Sequence, residues 1–415
     1  MPSRHDVVVT GIGLITPIGL NVGEFFASLE ANRSGISFWQ LPQLDRQMPV
    51  GLVNQNFSHE FSKLELPYLD RCSQFAVLAA RQATRDGGLE NFAEYGQRAG
   101  LYVGTVCGGV ATEHEWVRQF YTEHKQVAKP YIMLSAMMNS APAQLSIRHQ
   151  ILGPVMTHSS ACASSGAAIG DAFRAIRDGY LDVALVGGTE AALAAPSFMA
   201  LWGGLRALAS VDANDVAHSC RPFSKNRTGL VLSEGSVFLL IESRENAERR
   251  GVTPYCRLSG YGIASDGYHI GSPESTGQVA AMRAALSDAN LTADQIGYLN
   301  PHATATIGGD PIESNSINQV FNRVPASSTK AIHGHLLGAA SAIELAVVVA
   351  AVNREFLPAT AHLDEIDPHC DLNHIANQPV FDHPLEHAMS LSAGFGGTNV
   401  ALIVSREPGA ARKLG

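Results

Sequence analysis

Between Gly153 and Val186 the chain reads as strand, turn, helix and strand in immediate succession, and this order limits the folds open to it. Gly153 to Thr157 is a short extended run containing Val155 and Met156. Apolar residues then recur at Ile169, Ala172, Phe173 and Ile176, which is helical spacing. Arg174 and Arg177 followed by Gly179 supply a helix stop. Leu181 to Val186 is the second extended run. Two strands joined through a helix run parallel, and helices must then cover the sheet, so the segment predicts a layered α/β fold.

The same grammar recurs along the chain. Val7 to Ile15 reads as a strand broken by Gly11 and Gly13; Thr16 stands where a dinucleotide fingerprint needs its last glycine, so no nucleotide fold is expected. Leu101 to Gly104 is another strand, followed by Gly108 and Gly109. A second set begins with a strand at Arg257 to Ala264 and a helix at Gln278 to Ala289. It continues with a strand at Tyr298 to Asn300, a buried helix at Leu345 to Val352 and a closing strand at Ala401 to Ser405. The two sets read as loose duplicates, each with an early strand, a glycine-rich turn and a central buried helix. The join falls in the charged stretch Asn246 to Tyr255, which predicts halves at 1–250 and 251–415. No low-complexity linker separates them, so they should pack tightly.

Composition closes off several alternatives. With 415 residues, 46 % hydrophobic and 16 % charged, the chain can bury a two-domain core. A net charge of −9 without a long basic run argues against nucleic-acid binding. The six cysteines (Cys72, Cys107, Cys162, Cys220, Cys256 and Cys370) form no C-x-x-C pair, which argues against a disulfide framework or zinc ribbon. The polar start, Met1 to Asp6, leads straight into a strand without the pattern of a signal peptide, and a cytoplasmic location is expected. Leu336 to Val352 approaches membrane-spanning length. It carries Ser341 and Glu344, with His333 and His335 at its start, so a buried core helix is expected and no membrane association.

The candidate nucleophile is Cys162. It lies where a strand turns into a helix, and free backbone N–H groups there, with the positive end of the helix dipole, favour a thiolate. Ala161, Ala163, Ser164, Ser165 and Gly166 leave room for a substrate. The competing reading is a small buried hydrophobe. His302 follows a strand and precedes Ala303-Thr-Ala-Thr306, and His335 lies just before the buried helix. His333-x-His335 has no third ligand at metal spacing, so no metal site is expected. Glu344 sits in an otherwise apolar helix and must pair or stay protonated, with Lys330 as its natural partner. That pair either fixes packing or takes part in catalysis. Ser392 to Asn399 is a glycine-rich turn around Phe395, suited to bringing a backbone N–H to a substrate oxygen.

Taken together, the segments Ser159-Ser-Ala-Cys-Ala-Ser-Ser165, His302-x-Thr304-x-Thr306, Thr329-Lys330 with Gly334-His-Leu-Leu-Gly-Ala-Ala340, and Gly394-Phe-Gly-Gly-Thr-Asn399 resemble the β-ketoacyl-[acyl carrier protein] synthases. Arg221-Pro-Phe and Leu232-Ser-Glu-Gly235 add to the likeness, which runs from Thr10-Gly-Ile-Gly13 to Asn399. The resemblance implies a thiolase-like α/β fold, two related βαβ-containing halves packed in five layers (α-β-α-β-α). It implies that Cys162 takes an acyl group as a thioester, and that His302 and His335 hold the thioester carbonyl of a malonyl unit during decarboxylative condensation. Backbone N–H groups of Cys162 and Phe395 would form an oxyanion hole, with Phe395 a gate. Lys330 and Glu344 would be supporting, Thr304 and Thr306 would bind the pantetheine arm, and Cys107 and Ile132 would line the acyl pocket, Ile132 across a dimer interface. Asp266 would belong to a loop that moves with the gate. No cofactor of its own is implied; the arm is phosphopantetheine on an acyl carrier protein. Further partners would be a second copy or a related ketosynthase-like subunit. Two alternatives stand beside this reading. One is a non-catalytic chain-length-factor subunit, which usually lacks the nucleophilic cysteine. The other is a thiolase, which carries a second cysteine in the C-terminal glycine-rich segment.

The chain departs from the family pattern in places. Ala303 replaces the glycine after the first histidine and would strain a backbone with φ > 0. Ser341, Ser224, Thr228 and Ser233 replace other usual residues. Of the basic cluster before the first central helix only Lys63 and Arg71 remain, so carrier docking would use Lys125, Lys129, Arg221 or Lys225. These departures suggest a specialised polyketide or polyene branch rather than housekeeping fatty-acid synthesis.

Overall fold

A computed structural model describes residues 4–40 and 47–407; of the polar start, Met1 to Ser3 lie outside the described residues. Five strands form the first half of the sheet: β1 (Val7–Ile15), β2 (Ala99–Gly104), β3 (Val155–His158), β4 (Val183–Glu190) and β5 (Gly235–Ser243). Their spatial order is β3-β2-β4-β5-β1. The β3, β2 and β4 strands are mutually parallel, while β5 runs antiparallel to β4 and β1 antiparallel to β5. The second half has β6 (Cys256–Ser265), β7 (Tyr298–Asn300), β8 (Pro325–Ala326), β9 (His387–Ala393) and β10 (Thr398–Ser405). Its order is β8-β7-β9-β10-β6, the same topology with the same pattern of parallel and antiparallel neighbours. The duplication read from sequence is therefore a repeat of strand order. Val7 to Val9 of β1 pair antiparallel with Leu258 to Cys256 of β6 and join the two units edge to edge.

Helices build the other layers. The helices α1 (Arg71–Asp86), α2 (Ser164–Arg177), α3 (Ser275–Ala289), α4 (Gly309–Asn318) and α5 (Ala340–Arg354) carry most of the packing. Ala184 and Val186 of β4 point into a core shared with α2 and α5, while Val183 and Leu185 point the other way, into a cluster with α1. On β10, Val400, Leu402 and Val404 face the shared core, and Ala401 and Ile403 face α3 and α4. The central layer is thus α2 and α5, enclosed by one sheet half on each side, with α1 outside one and α3 and α4 outside the other.

Sheets covered on both faces explain what the sequence conceals. Such strands carry apolar residues continuously rather than alternately, and β5, not read from the sequence, is of this kind, while β9, also missed, is buried on both faces but broken by Ser390 and Ser392. Where elements were read, boundaries moved: β4 begins two residues after Leu181 and runs on to Glu190, and α5 begins five residues before Leu345. The stretch Leu337–Arg354 is long and apolar enough to cross a membrane, but 94 % of it is buried inside the protein.

Candidate active site

Cys162 stands at the elbow between β3 and α2. Ala161 adopts φ +49°, a conformation costly for a residue with a Cβ. The Ser164 hydroxyl holds the turn, donating to the Ala161 carbonyl at 2.6 Å and accepting from the Ser160 N–H at 2.8 Å. The thiol is buried, with 6 % exposure. The N–H groups of Phe395 and of Cys162 itself reach the sulfur. Even so, burial dominates and pushes the thiol up to about 11, against the lowering by the Lys330 charge and those N–H groups. The helix terminus and the N–H groups favour the thiolate as the sequence suggests, but a helix terminus contributes at most ~2 kcal/mol, and burial outweighs it.

Two imidazoles from the other half converge on this sulfur. His335 Nε2 lies 2.9 Å from Cys162 Sγ. The His302 and His335 rings meet edge to face, centroids 5.2 Å apart. Their positions follow from backbone bonding. His335 sits in a strand-like pairing with residues 231–233: its N–H donates to the Val231 carbonyl at 2.7 Å and its carbonyl accepts from the Ser233 N–H at 3.0 Å. His302 follows β7, and its N–H donates to Glu313 of α4 at 2.6 Å. Burial first, then the Lys330 charge, holds both imidazoles well below their ordinary range, so both are neutral. With the thiol pushed up and both imidazoles held down, the resting pair is neutral thiol and neutral imidazole.

Lys330 and Glu344 form a buried ion pair behind these groups, and the Ser392 hydroxyl donates to the other Glu344 oxygen at 2.7 Å. Burial lowers Lys330 below the usual lysine range. Glu313, not singled out in the sequence, is fully buried, and burial raises its carboxyl; it also accepts from the Ala303 N–H at 2.6 Å. Asp310, one turn earlier, is pushed up to about 6 by burial and accepts from the Phe223 N–H at 2.8 Å. Two acidic residues three apart on one helix face, with no basic residue a turn away, were the available signal.

Cys162, His302, His335, Thr304, Thr306 and Phe395 line one cavity of about 860 Å³. The Phe395 ring is half-exposed and stacks on Trp202, centroids 5.9 Å apart. Asp266 accepts from Asn399 at 2.6 Å, and its N–H donates to the Gly397 carbonyl, so its loop is tied to the glycine-rich turn. Thr304 donates to Thr306 at 3.3 Å. Cys107 and Ile132 stand outside this cavity. Cys107 packs in a neighbouring apolar cluster with Trp202 and Leu337, and Ile132 lies on the short helix Pro130–Ala136 beside exposed Met133 and Leu134.

The departures from pattern are absorbed locally. Ala303 has no positive φ, so the expected strain does not arise there; Ala305 takes that conformation instead, at +67°. The Ser341 hydroxyl donates to the Cys162 carbonyl at 3.2 Å. Among the basic candidates, Lys125, Arg221 and Lys225 pair with Glu123, Asp212 and Glu365, and Arg71 is held by Glu234. The Lys129 ammonium lies over the Tyr131 ring, 5.8 Å from its centroid. Arg206, also missed in the sequence, is exposed at the cavity.

Comparison with known proteins gives a consistent result. Residues 4–247 match the family described as the beta-ketoacyl synthase N-terminal domain, and residues 255–364 its C-terminal domain. The chain is 33 % identical over 417 residues to a 3-oxoacyl-[acyl-carrier-protein] synthase 2 of Staphylococcus aureus, covering 98 % of this chain and 99 % of that one. A solved beta-ketoacyl synthase from Burkholderia phymatum matches with a TM-score of 0.90 and 30 % identity, over 97 % of this chain and 100 % of that one. The ishigamide ketosynthase/chain length factor matches with a TM-score of 0.89 and 29 % identity, over 98 % and 100 %.

Proposed function

The chain belongs to the β-ketoacyl synthase family of condensing enzymes, and from that premise we propose that Cys162, His302 and His335 carry out its acyl transfer and decarboxylation. The observation that carries this is the convergence of one thiol and two neutral imidazoles, from distant segments, on one cavity. In the first half-reaction Cys162 Sγ attacks the thioester carbonyl of an acyl chain. Its proton passes to His335 Nε2, and the N–H groups of Cys162 and Phe395 receive the developing oxyanion. The carrier thiol leaves and takes that proton. In the second half-reaction a malonyl thioester places its carbonyl oxygen between His302 and His335. Carbon dioxide departs, and the two ring N–H groups stabilise the enolate. Its carbon attacks the acyl-Cys162 carbonyl and releases the thiolate, which takes a proton from water entering through the cavity. Neutral imidazoles suit this task, because each carries one N–H; His335, having passed its Nε2 proton to the carrier thiol, returns to the Nε2–H tautomer by exchange with water in the cavity before it donates.

The partner is an acyl carrier protein whose phosphopantetheine arm passes Thr304 and Thr306; no cofactor of the enzyme's own enters. Arg206, at the cavity mouth, supplies a cation for the carrier's phosphate or acidic face. Lys330 and Glu344 hold the charge behind the site. Cys107 and Ile132 lie outside the cavity that holds Cys162, and their proposed place is at the far end of the acyl chain, Ile132 once a second subunit is present. Val155 and Met156 on the edge strand β3, with Met133, Leu134, Met137 and Met138, leave an exposed apolar face suited to a second copy or a chain-length-factor subunit. The functional halves are taken as 1–250 and 251–415. Six free thiols are consistent with a reducing cytoplasm. A non-catalytic subunit would not need this triad. A thiolase would need a cysteine near Phe395, whereas Cys370 does not line the cavity.

Mass spectrometry after incubation with acyl-carrier protein tests the reading. An acyl adduct on Cys162, absent in Cys162→Ala, is expected. An adduct elsewhere, or none with any acyl donor, removes the assignment.

A further inference from the structure

We propose that Cys162, His302 and His335 also bind a thiophilic divalent cation of the zinc class, reversibly, and that the bound cation blocks acyl loading. The ligand atoms of all three side chains lie within 4.8 Å of one another. Zinc holds sulfur at ~2.3 Å and imidazole nitrogen at ~2.0–2.1 Å, so tetrahedral ligand atoms stand roughly 3.3–3.7 Å apart. The 2.9 Å separation of Sγ from His335 Nε2 needs to open by less than about 1 Å to reach that range. One sulfur and two imidazoles are a soft set that favours zinc over magnesium or calcium. The fourth position opens onto the cavity, where water can complete the tetrahedron.

The arrangement differs from the one considered along the sequence. His333 is not a ligand: its ring nitrogens bond the Thr329 hydroxyl at 3.0 Å and the Gly334 carbonyl at 2.7 Å. His335 finds its partners across the fold instead. Binding is reversible rather than structural for two reasons. A resident zinc has its histidines anchored by a carboxylate or carbonyl on the second ring nitrogen, and here Nδ1 of His302 and of His335 has no partner among the described residues. Lys330, a buried cation, also stands close behind the set and opposes a second positive charge. As the metal–sulfur bond forms, the S–H bond breaks and the proton leaves to water through the cavity. An acylated Cys162 has no thiolate to offer, so metal and acyl group compete; this regulatory consequence rests on the function proposed above.

The test uses the full-length, chelator-treated enzyme with Co²⁺ as the spectroscopic probe and Zn²⁺ as the inhibitor. Co²⁺ should give tetrahedral bands with sulfur-to-cobalt charge transfer, absent in Cys162→Ala and at least about tenfold weaker in affinity in His302→Gln. X-ray absorption of the Zn²⁺ form of the wild-type enzyme should show one sulfur and two imidazole nitrogens, which does not depend on any variant folding. Zn²⁺ should stop acyl loading, chelator should restore it, and prior acylation should prevent binding. Cobalt bands that persist in Cys162→Ala, a zinc shell without sulfur, or equal binding after acylation would each overturn the proposal. Adduct mapping on Cys162 without metal is read separately. An intact adduct with no metal signal sinks only this inference, and a metal signal with no adduct sinks the proposed function.

Discussion

Replacing Lys330 by methionine would separate the two readings of the buried ion pair. Lys330 and Glu344 are 1 % and 0 % exposed at their side chains. Removing one partner leaves an uncompensated buried charge, which costs about 3–5 kcal/mol. Glu344 keeps the Ser392 hydroxyl at 2.7 Å, a bond worth about 1 kcal/mol, so the loss should lie near the lower end of that range. The double variant Lys330→Met with Glu344→Gln removes both charges, and the amide oxygen it introduces still accepts from Ser392. It should recover to within about 1 kcal/mol of the parent. Urea midpoints with a common slope, at one protein concentration, measure both. Lys330 also acts on the thiol and both imidazoles. Stability should therefore return in the double variant while the rate of acyl loading does not. A single variant that loses less than about 1 kcal/mol would refute the stability argument. A double variant that regains full activity would reduce the pair to packing alone.

Other outcomes can be stated more briefly. The thiol lies at about 11 and only the thiolate reacts, so alkylation of Cys162 should quicken about tenfold per pH unit from roughly pH 7 to 9. A plateau at or below pH 7 would contradict the neutral resting pair. His302 and His335 are held below the usual imidazole range, so they stay neutral as pH falls through 6.5 and pick up protons only further into acid. Malonyl decarboxylation by Cys162→Gln should be flat from about pH 6 to 8, without a step centred on the reference imidazole value of about 6.5. Ala303→Gly should lower stability by about 0.5–1 kcal/mol and leave turnover unchanged, because no positive φ is relieved; a gain in either would restore the strain argument. Arg206→Glu should raise KM for carrier-bound substrates while sparing free pantetheine thioesters; equal effects on both would remove it from carrier docking.

Much of the candidate site was legible because its chemistry is carried by short local segments. Cys162 announces itself through the strand, the small residues and the helix around it, and His302 and His335 through their positions beside strands and small residues. Glu344 was conspicuous as a charge in an apolar helix, and a buried charge needs a partner wherever the fold supplies one. Glu313, Arg206 and Trp202 were not legible. Glu313 matters because α4 folds back to bury its carboxylate against the His302 and Ala303 N–H groups. Trp202 matters through Phe395, which lies far along the chain, and Arg206 through its exposure at a cavity mouth. Burial, long-range contact and exposure are not encoded locally. The balance at the thiol was not legible for the same reason, since the N–H groups could be inferred from sequence and the depth of burial could not.

Most of the strand and helix order, the doubling of the chain and the candidate reactive side chains were legible in local pattern. Which strands neighbour one another, that β1 and β6 join the halves, and that sulfur and imidazole meet at 2.9 Å were decided by tertiary packing. The reason is the range of the forces: propensity and turn chemistry act over a few residues, whereas burial and desolvation depend on segments brought together from the whole chain.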